Sequence, residues 1–210
     1  MAEKEKPKKM EEMPTIVSVP SGKLQSLKRK IKTELKETPE PYAVLVLTQP
    51  ANHFNNYLDI LEISSKEEGS TTGICVTLTR TVESLIKLLE ARNIDTEKIF
   101  FIDCISKISG AKQTRKNCFY VSHPSNLTDM SIALTKAIEN TGAGKKFFIV
   151  DSWSSLLIYN ERKKVLGFSN FIINKLRANE INGFLITLSV KSDEEFAQGM
   201  SVFCDKVLVL

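Results

Sequence analysis

Short apolar segments alternate with helical patterns along most of this 210-residue chain, and that alternation limits the folds it can adopt. The segments are apolar on consecutive residues, which is typical of strands covered on both faces. They lie at 43–48, 74–78, 99–102, 118–121, 147–150, 184–190 and 206–210. The helical patterns between them lie at 54–63, 81–91, 127–140 and 168–179. This order predicts an α/β domain over residues 40–210, with helices on both faces of a mainly parallel sheet.

Two segments precede the predicted domain. Residues 1–20 begin MAEKEKPKKMEEM, which offers too little apolar surface to offset the entropy of ordering, so we expect a disordered tail. Residues 21–38 contain an amphipathic helix whose apolar stripe is Leu24, Leu27, Ile31 and Leu35. Its other face carries Lys28, Arg29, Lys30 and Lys32. We expect the helix to dock on the core, and contact with nucleic acid or another anionic partner through the basic face is the alternative.

Composition excludes several classes of protein. The formal net charge is +4 and the isoelectric point is about 8.8, which is well short of the footprint of a dedicated nucleic-acid binder. The four cysteines include no CxxC pair, which indicates buried free thiols in a reducing cytoplasm. No apolar run approaches the roughly 20 residues needed to span a bilayer. We therefore expect a cytoplasmic protein without a membrane segment.

The stretch Gly142–Lys146, GAGKK, spells part of a phosphate-binding loop. Such a loop joins a strand to the helix that follows it, because its backbone amides and the helix dipole must converge on phosphate. GAGKK instead follows a predicted helix and leads into a predicted strand. It also has Lys146 where a Ser or Thr would hold Mg²⁺. We interpret it as a glycine-rich helix stop.

A better candidate follows the strand at 147–150, where FFIV ends in Asp151 and Ser152. Ligands of parallel α/β sheets bind beyond the carboxyl ends of the strands. A carboxylate at the tip of a central strand is where P-loop enzymes hold Mg²⁺. If Mg²⁺ binds, Asp151 is the candidate ligand, and a structural cap is the alternative.

The stretch KKFFIVDSWSSLL resembles the Walker B segment of the RecA superfamily, in particular its KaiC-like branch of archaeal and bacterial ATPases. Residues 73–106 and 168–210 resemble further strands and helices of the same branch. The resemblance covers about residues 40 to 210. It implies a three-layer α/β/α P-loop core, with MgATP bound between the loop after the first strand and the Asp-Ser pair.

The resemblance also shows what has changed at the site. The glycines, Lys and Ser/Thr of the family's loop fall on Gln49, Asn52, Phe54, Asn55 and Asn56. Side chains replace the glycines that let backbone approach phosphate, and no ammonium faces the β- and γ-phosphates. We expect no cofactor, with ATP and Mg²⁺ as the alternative. If an unconventional ligand binds, its candidate residues are Gln49, Asn52, His53, Asn55 and Asn56. We expect Asp151 to be a structural residue, hydrogen-bonded to this loop.

The neighbouring strand ends also lack catalytic groups. The branch carries a Glu after the second strand to orient water, and Thr79 and Arg80 stand there, with Ser189 near the end of an adjacent strand. Glu83, one helical turn further along, is expected on a solvated face. His53 and His123 have no recognisable nucleophile partner, and we expect Trp153 to pack beneath the sheet edge.

These observations predict a catalytically inactive RecA/KaiC-like protein that serves as a regulatory or protein-interaction module. Its expected partner is another protein or a second copy of the chain. An unconventional nucleotide or small-anion binder that uses loop 49–56 is the first alternative. A weak nucleic-acid-binding accessory protein is the second.

Overall fold

The structure is a computed structural model and describes residues 16–18, 24–67 and 71–210. The strands are β1 (Ile16–Ser18), β2 (Ala43–Thr48), β3 (Thr71–Thr77), β4 (Ile99–Asp103), β5 (Cys118–Tyr120), β6 (Lys145–Val150), β7 (Ile181–Leu188) and β8 (Lys206–Val209). The helices are α1 (Leu24–Lys36), α2 (His53–Ser65), α3 (Val82–Ala91), α4 (Ser106–Ser109), α5 (Leu127–Asn140), α6 (Arg162–Ala178) and α7 (Glu194–Ser201). Short 3₁₀ segments lie at Thr96–Lys98, Trp153–Ile158 and Lys191–Asp193.

The strands of the described residues form one sheet in the order β1-β8-β2-β7-β6-β3-β4-β5. Every neighbouring pair is parallel. The carboxyl ends therefore meet at one edge of the sheet. Because β7 and β6 lie between β2 and β3, this edge brings the loop after β2 and the turn after β3 to either side of Asp151.

Helices cover both faces of the sheet, so the predicted three-layer α/β/α architecture is confirmed. One buried cluster joins α1, α2 and α3 to the sheet and includes Ile31, Leu61 and Leu85. The other joins α5, α6 and α7 to the opposite face and includes Ile172 and Phe196. Successive residues of one strand enter opposite clusters, which is why the strands read as continuous apolar runs.

The sequence pattern located the main elements and missed short ones. The strands at 43–48, 99–103 and 206–209 and the helix at 127–140 lie where they were predicted, within a residue or so. Not predicted were α4, α7 and β1. Most of the predicted tail, residues 1–20, lies outside the described residues, but its residues 16–18 form β1 alongside β8.

Helix α1 packs on the core as expected, since Leu27, Ile31 and Leu35 are buried. The side chain of Leu24 lies outside the described part. On the basic face, Lys28 forms an ion pair with Glu62 of α2 at 2.8 Å. Binding of nucleic acid by the remaining basic residues of this face, Arg29, Lys30 and Lys32, stays a prediction.

The sequence pattern predicts a buried apolar stripe of Ile132, Leu134, Ala137 and Ile138 on α5, and the structure buries a different face. Leu134 and Ala137 are buried as predicted, but Ile132 is 49% exposed, and Met130 and Ala133 are buried in its place. Residues 130, 133, 134 and 137 form one helical face at spacings of three and four. Ile132 lies outside that face, so the prediction for this residue was wrong.

Gly142–Lys146 lies at the amino edge of the sheet, as predicted. Helix α5 ends at Asn140, and β6 begins at Lys145. Gly144 has a φ of 115°, which favours glycine. The segment is therefore a turn between a helix and a strand, far from the edge where the other candidate residues lie.

Candidate functional site

The loop after β2 is short and closed on itself. The backbone N–H of Asn52 donates to the carbonyl of Gln49 at 3.0 Å, and α2 begins at the next residue, His53. Gln49 and Asn55 are exposed, whereas Asn56 is buried in the first turn of α2. The predicted loop residues therefore share one place, but they form a tight turn without the glycines that admit a phosphate group.

The amino terminus of α2 lacks a side-chain cap. The Asn52 side chain accepts no capping hydrogen bond, and the first intrahelical bond runs from the Asn56 N–H to the Asn52 carbonyl at 2.9 Å. The backbone amides of residues 53–55 precede that bond and have no partner within the helix. They give this end of α2 a partial positive charge directed at the carboxyl edge.

His53 connects the loop to the strand before it. Its Nδ1 lies 2.6 Å from the hydroxyl of Thr48, while Nε2 is buried and has no hydrogen-bond partner among the described residues. Burial lowers the pKa of His53 below its ordinary value, against the opposing influence of Asp151. His53 therefore favours the neutral form and lies close enough to Asp151 to sense its charge.

Arg80 reaches the loop from the other side. Its guanidinium carbon lies 3.5 Å from the centroid of the Phe54 ring, which is a close cation–π contact. Its Nε is buried and has no hydrogen-bond partner. The residue therefore supplies positive charge beside α2, just after the carboxyl end of β3.

Asp151 is buried, and its carboxylate is held by the turn after β3. The N–H of Leu78 donates to Oδ1 at 2.8 Å. The N–H and the hydroxyl of Thr79 donate to Oδ2 at 3.0 and 2.5 Å. The Thr77 hydroxyl lies 3.3 Å from Oδ2, but its single proton has a nearer acceptor in the carbonyl of Arg80 at 2.5 Å.

These bonds decide what Asp151 does in this structure. Burial raises the pKa of Asp151, and the hydrogen bonds from Thr79 and Leu78 oppose that shift. Both carboxylate oxygens accept bonds from the protein's own chain, so the side chain joins β6 to the end of β3. The structural role expected for Asp151 is present, but the prediction that its side chain bonds to loop 49–56 was wrong. Its donors are Leu78 and Thr79, because the end of β3 lies directly beside β6 in the sheet.

The other predicted strand-end residues have local partners. The Ser152 hydroxyl accepts from the Ser155 hydroxyl at 2.8 Å, within the turn that follows β6. The backbone N–H of Ser189 donates to the Thr48 carbonyl at 2.8 Å, and its side chain lines a groove beside α7. Glu83 lies in the first turn of α3 and pairs with Arg115 at 3.2 Å.

Two aromatic predictions can be compared with the structure. Trp153 is 1% exposed, donates from Nε1 to the Ser169 hydroxyl at 2.6 Å, and stacks on Phe168. The expected packing of Trp153 is therefore confirmed. His123 lies away from loop 49–56. Its Nδ1 is 2.8 Å from the Ser125 hydroxyl, and its ring contacts Tyr159 edge-on.

Asp103 is a buried carboxylate that sequence reasoning missed. At the end of β4, it accepts bonds from the N–H of Val82 and from the N–H groups of Ile105 and Ser106, all at 2.7 Å. It also accepts from the Ser106 hydroxyl at 2.6 Å. Asp103 thus caps the starts of α3 and α4. The signal was available, since Asp103 ends an apolar strand in the same way as Asp151.

The described ranges contain neither a metal-binding cluster nor a helix that could span a membrane. Residues 16–18, 24–67 and 71–210 contain no cluster of three or more His, Cys, Asp or Glu side chains that could hold a metal ion. Within the same ranges, no helix combines the length and apolar character required to cross a bilayer. The four cysteines are buried and free.

Comparison with known proteins gives a fold and no family. No family model and no curated protein matches the chain. Among the solved structures that match is an uncharacterized protein from Pyrococcus horikoshii in complex with an unknown peptide, with a TM-score of 0.67 and 13% sequence identity. The match covers 86% of this chain and 82% of that chain. At this identity the likeness establishes the shared α/β architecture, a parallel sheet between two layers of helices.

Proposed function

We propose that this protein is a non-enzymatic interaction module built on a RecA/KaiC-like core. The proposal rests on the hydrogen bonds that hold the Asp151 carboxylate. Its two carboxylate oxygens accept bonds from Leu78 and Thr79 of the same chain. A carboxylate in this state has exchanged the role of a magnesium ligand for that of a structural bridge.

The chemistry of the surrounding residues supports the same proposal. The loop offers Asn55 and Asn56 where ATP chemistry requires an ammonium and a hydroxyl. Arg80 and Thr79 occupy the place where a Glu would orient the attacking water. Burial favours the neutral form of His53, and its Nδ1 is hydrogen-bonded to the Thr48 hydroxyl.

Phosphate release by the purified chain with MgATP tests the catalytic half of the proposal. We expect the wild type and Asp151→Asn to release phosphate at the same background rate. Hydrolysis that saturates with MgATP and disappears in Asp151→Asn would overturn the proposal. Circular dichroism of the variant confirms that the fold is retained.

A peptide is the partner that we propose for the module. The Pyrococcus horikoshii protein, which shares the fold, was solved with an unknown peptide. A displayed library of random 12-residue peptides, panned on the immobilised full chain, tests this partner class. Enrichment of recurring sequences that bind the chain in solution supports it. Absence of any enriched sequence after repeated rounds contradicts it.

A small anion or nucleotide at α2 is a second candidate function. The uncapped amino terminus of α2, the nearby Arg80 guanidinium and the unpartnered Nε2 of His53 favour it. Binding to the folded state alone must raise the melting temperature. We expect this candidate to give a shift with phosphate or with one nucleotide of a panel, reduced in Arg80→Ala. A flat response across the panel removes it.

A further inference from the structure

An apolar groove lies on the sheet face that α7 covers only in part. Its aliphatic floor is formed by Leu47 of β2 and Leu188 of β7, which are partly exposed, and its wall by Ala197 of α7. Leu45 and Val207 also line the groove but are buried. The volume is about 800 Å³, within the range of ligand clefts, which is about 300–1,000 Å³. Helix α7 buries Phe196 and Met200 in the core, and it lines the groove with Ala197 and Ser201 beside the polar Glu194 and Gln198.

The rim of the groove combines apolar and charged groups. Val202, just after α7, is 69% exposed. Lys191 and Glu194 also line the groove and are exposed, and neither forms an ion pair with another residue of the described ranges. The surface therefore presents an aliphatic floor with a free ammonium and a free carboxylate at its edge.

The backbone around the groove limits how a partner can bind. Among the described strands, β8 pairs with β2 on one side and with β1 on the other, so β8 itself offers no unpaired backbone for strand addition. Contact must come from side chains that enter the groove. This favours a short segment with aliphatic anchors on one face.

We propose that the groove binds a peptide segment of a partner protein, with two or more aliphatic side chains on the floor. This inference rests on the proposed interaction function and locates it. A basic residue of the peptide pairs with Glu194, and an acidic residue pairs with Lys191. Apolar burial supplies most of the affinity, and the charged rim fixes the orientation of the peptide.

The experiment uses peptides enriched by panning on the full chain, labelled and titrated by fluorescence anisotropy. Ala197→Trp fills the groove from the α7 side, and Val202→Asp places a carboxylate at its apolar rim. Ile158→Asp is the matched control, because Ile158 is 75% exposed on a different surface. Melting temperatures of all variants confirm folding.

We expect Ala197→Trp and Val202→Asp each to weaken binding about tenfold or more, and Ile158→Asp to leave it unchanged. Enriched sequences should share aliphatic anchors beside a Lys or Arg, and Glu194→Lys should weaken their binding most at low salt. Enriched peptides that bind Ala197→Trp as tightly as wild type overturn the groove while leaving the interaction function intact. A failure of panning to enrich any peptide overturns both. A concentration-dependent dimer in sedimentation velocity that Val202→Asp abolishes would assign the groove to a second copy and overturn the peptide.

Discussion

The bridge made by Asp151 predicts a specific loss of stability when its carboxylate is removed. Asp151→Ala leaves the buried N–H of Leu78 without its acceptor at 2.8 Å and the part-buried N–H of Thr79 without its acceptor at 3.0 Å. A buried donor without a partner costs about 1–3 kcal/mol, and a bond that water can replace is worth about 1 kcal/mol. We expect Asp151→Ala to lower the free energy of unfolding by about 2–4 kcal/mol.

Asp151→Asn should cost less than Asp151→Ala. The amide oxygen can still accept from Leu78, but the NH₂ group then faces the N–H of Thr79, and one bond is lost. Burial raises the pKa of Asp151, so removal of the buried charge offsets part of that loss. Asp95→Asn is the matched control, since the Asp95 side chain is 57% exposed.

Urea denaturation followed by Trp153 fluorescence measures these changes. Trp153 is the only tryptophan of the chain, is buried, and follows Asp151 by two residues. The urea midpoint should fall with an unchanged slope if the variants keep the native fold. Asp151→Ala within about 0.5 kcal/mol of wild type would refute the bridge. Stabilisation of wild type by Mg²⁺ that Asp151→Ala abolishes would also refute it, because Asp151 would then be a metal ligand.

Two further predictions concern packing and protonation. Gly73→Ala should destabilise the protein by about 1–3 kcal/mol, because the added Cβ would lie 2.4 Å from the Phe147 ring. Thermal melts measure this change, and Gly142→Ala is the control, since a Cβ at Gly142 would have no atom within 4 Å. The folded pKa of His53 lies below 6.5, so its contribution to stability is present above that pH and is lost on acidification. Between about pH 7 and pH 5, the urea midpoint should fall more for wild type than for His53→Asn. An equal fall in both proteins would contradict this prediction.

The positions of the strands were predictable because covered strands are continuous apolar runs. Their starts were less so, as β7 illustrates. The pattern begins at Phe184, but the strand begins at Ile181, since Asn182 accepts a bond from the N–H of Tyr42 at 3.2 Å and Gly183 packs near Leu176. Contacts with residues distant in sequence therefore stabilise a polar residue and a glycine within this strand, and a local apolar pattern cannot indicate such contacts.

Helix α7 was missed for a related reason. It spans eight residues and buries only Phe196 and Met200, so it shows a single apolar pair at a spacing of four. One pair is too short a pattern to indicate a helix. The groove beside α7 was missed with it, because its lining comes from β2, β8 and α7, which the sequence keeps far apart.

At the candidate site, the positions were predictable but the partners were not. The order of apolar runs placed Asp151 and loop 49–56 at one edge of the sheet. The donors to Asp151, Leu78 and Thr79, lie 73 and 72 residues away along the chain, and the order of β6 and β3 in the sheet brings them together. The order of strands in the sheet depends on the packing of the whole domain, so no local sequence pattern beside Asp151 indicates it.

Calorimetric titration of MgATP into the purified full chain tests the central claim most directly. If Asp151 bridges β6 and β3 and the loop after β2 has lost its phosphate-binding groups, the heats for wild type and Asp151→Asn should be the same. Saturable heat in wild type that is absent in Asp151→Asn would show that Asp151 holds a metal-bound nucleotide, and would contradict the account.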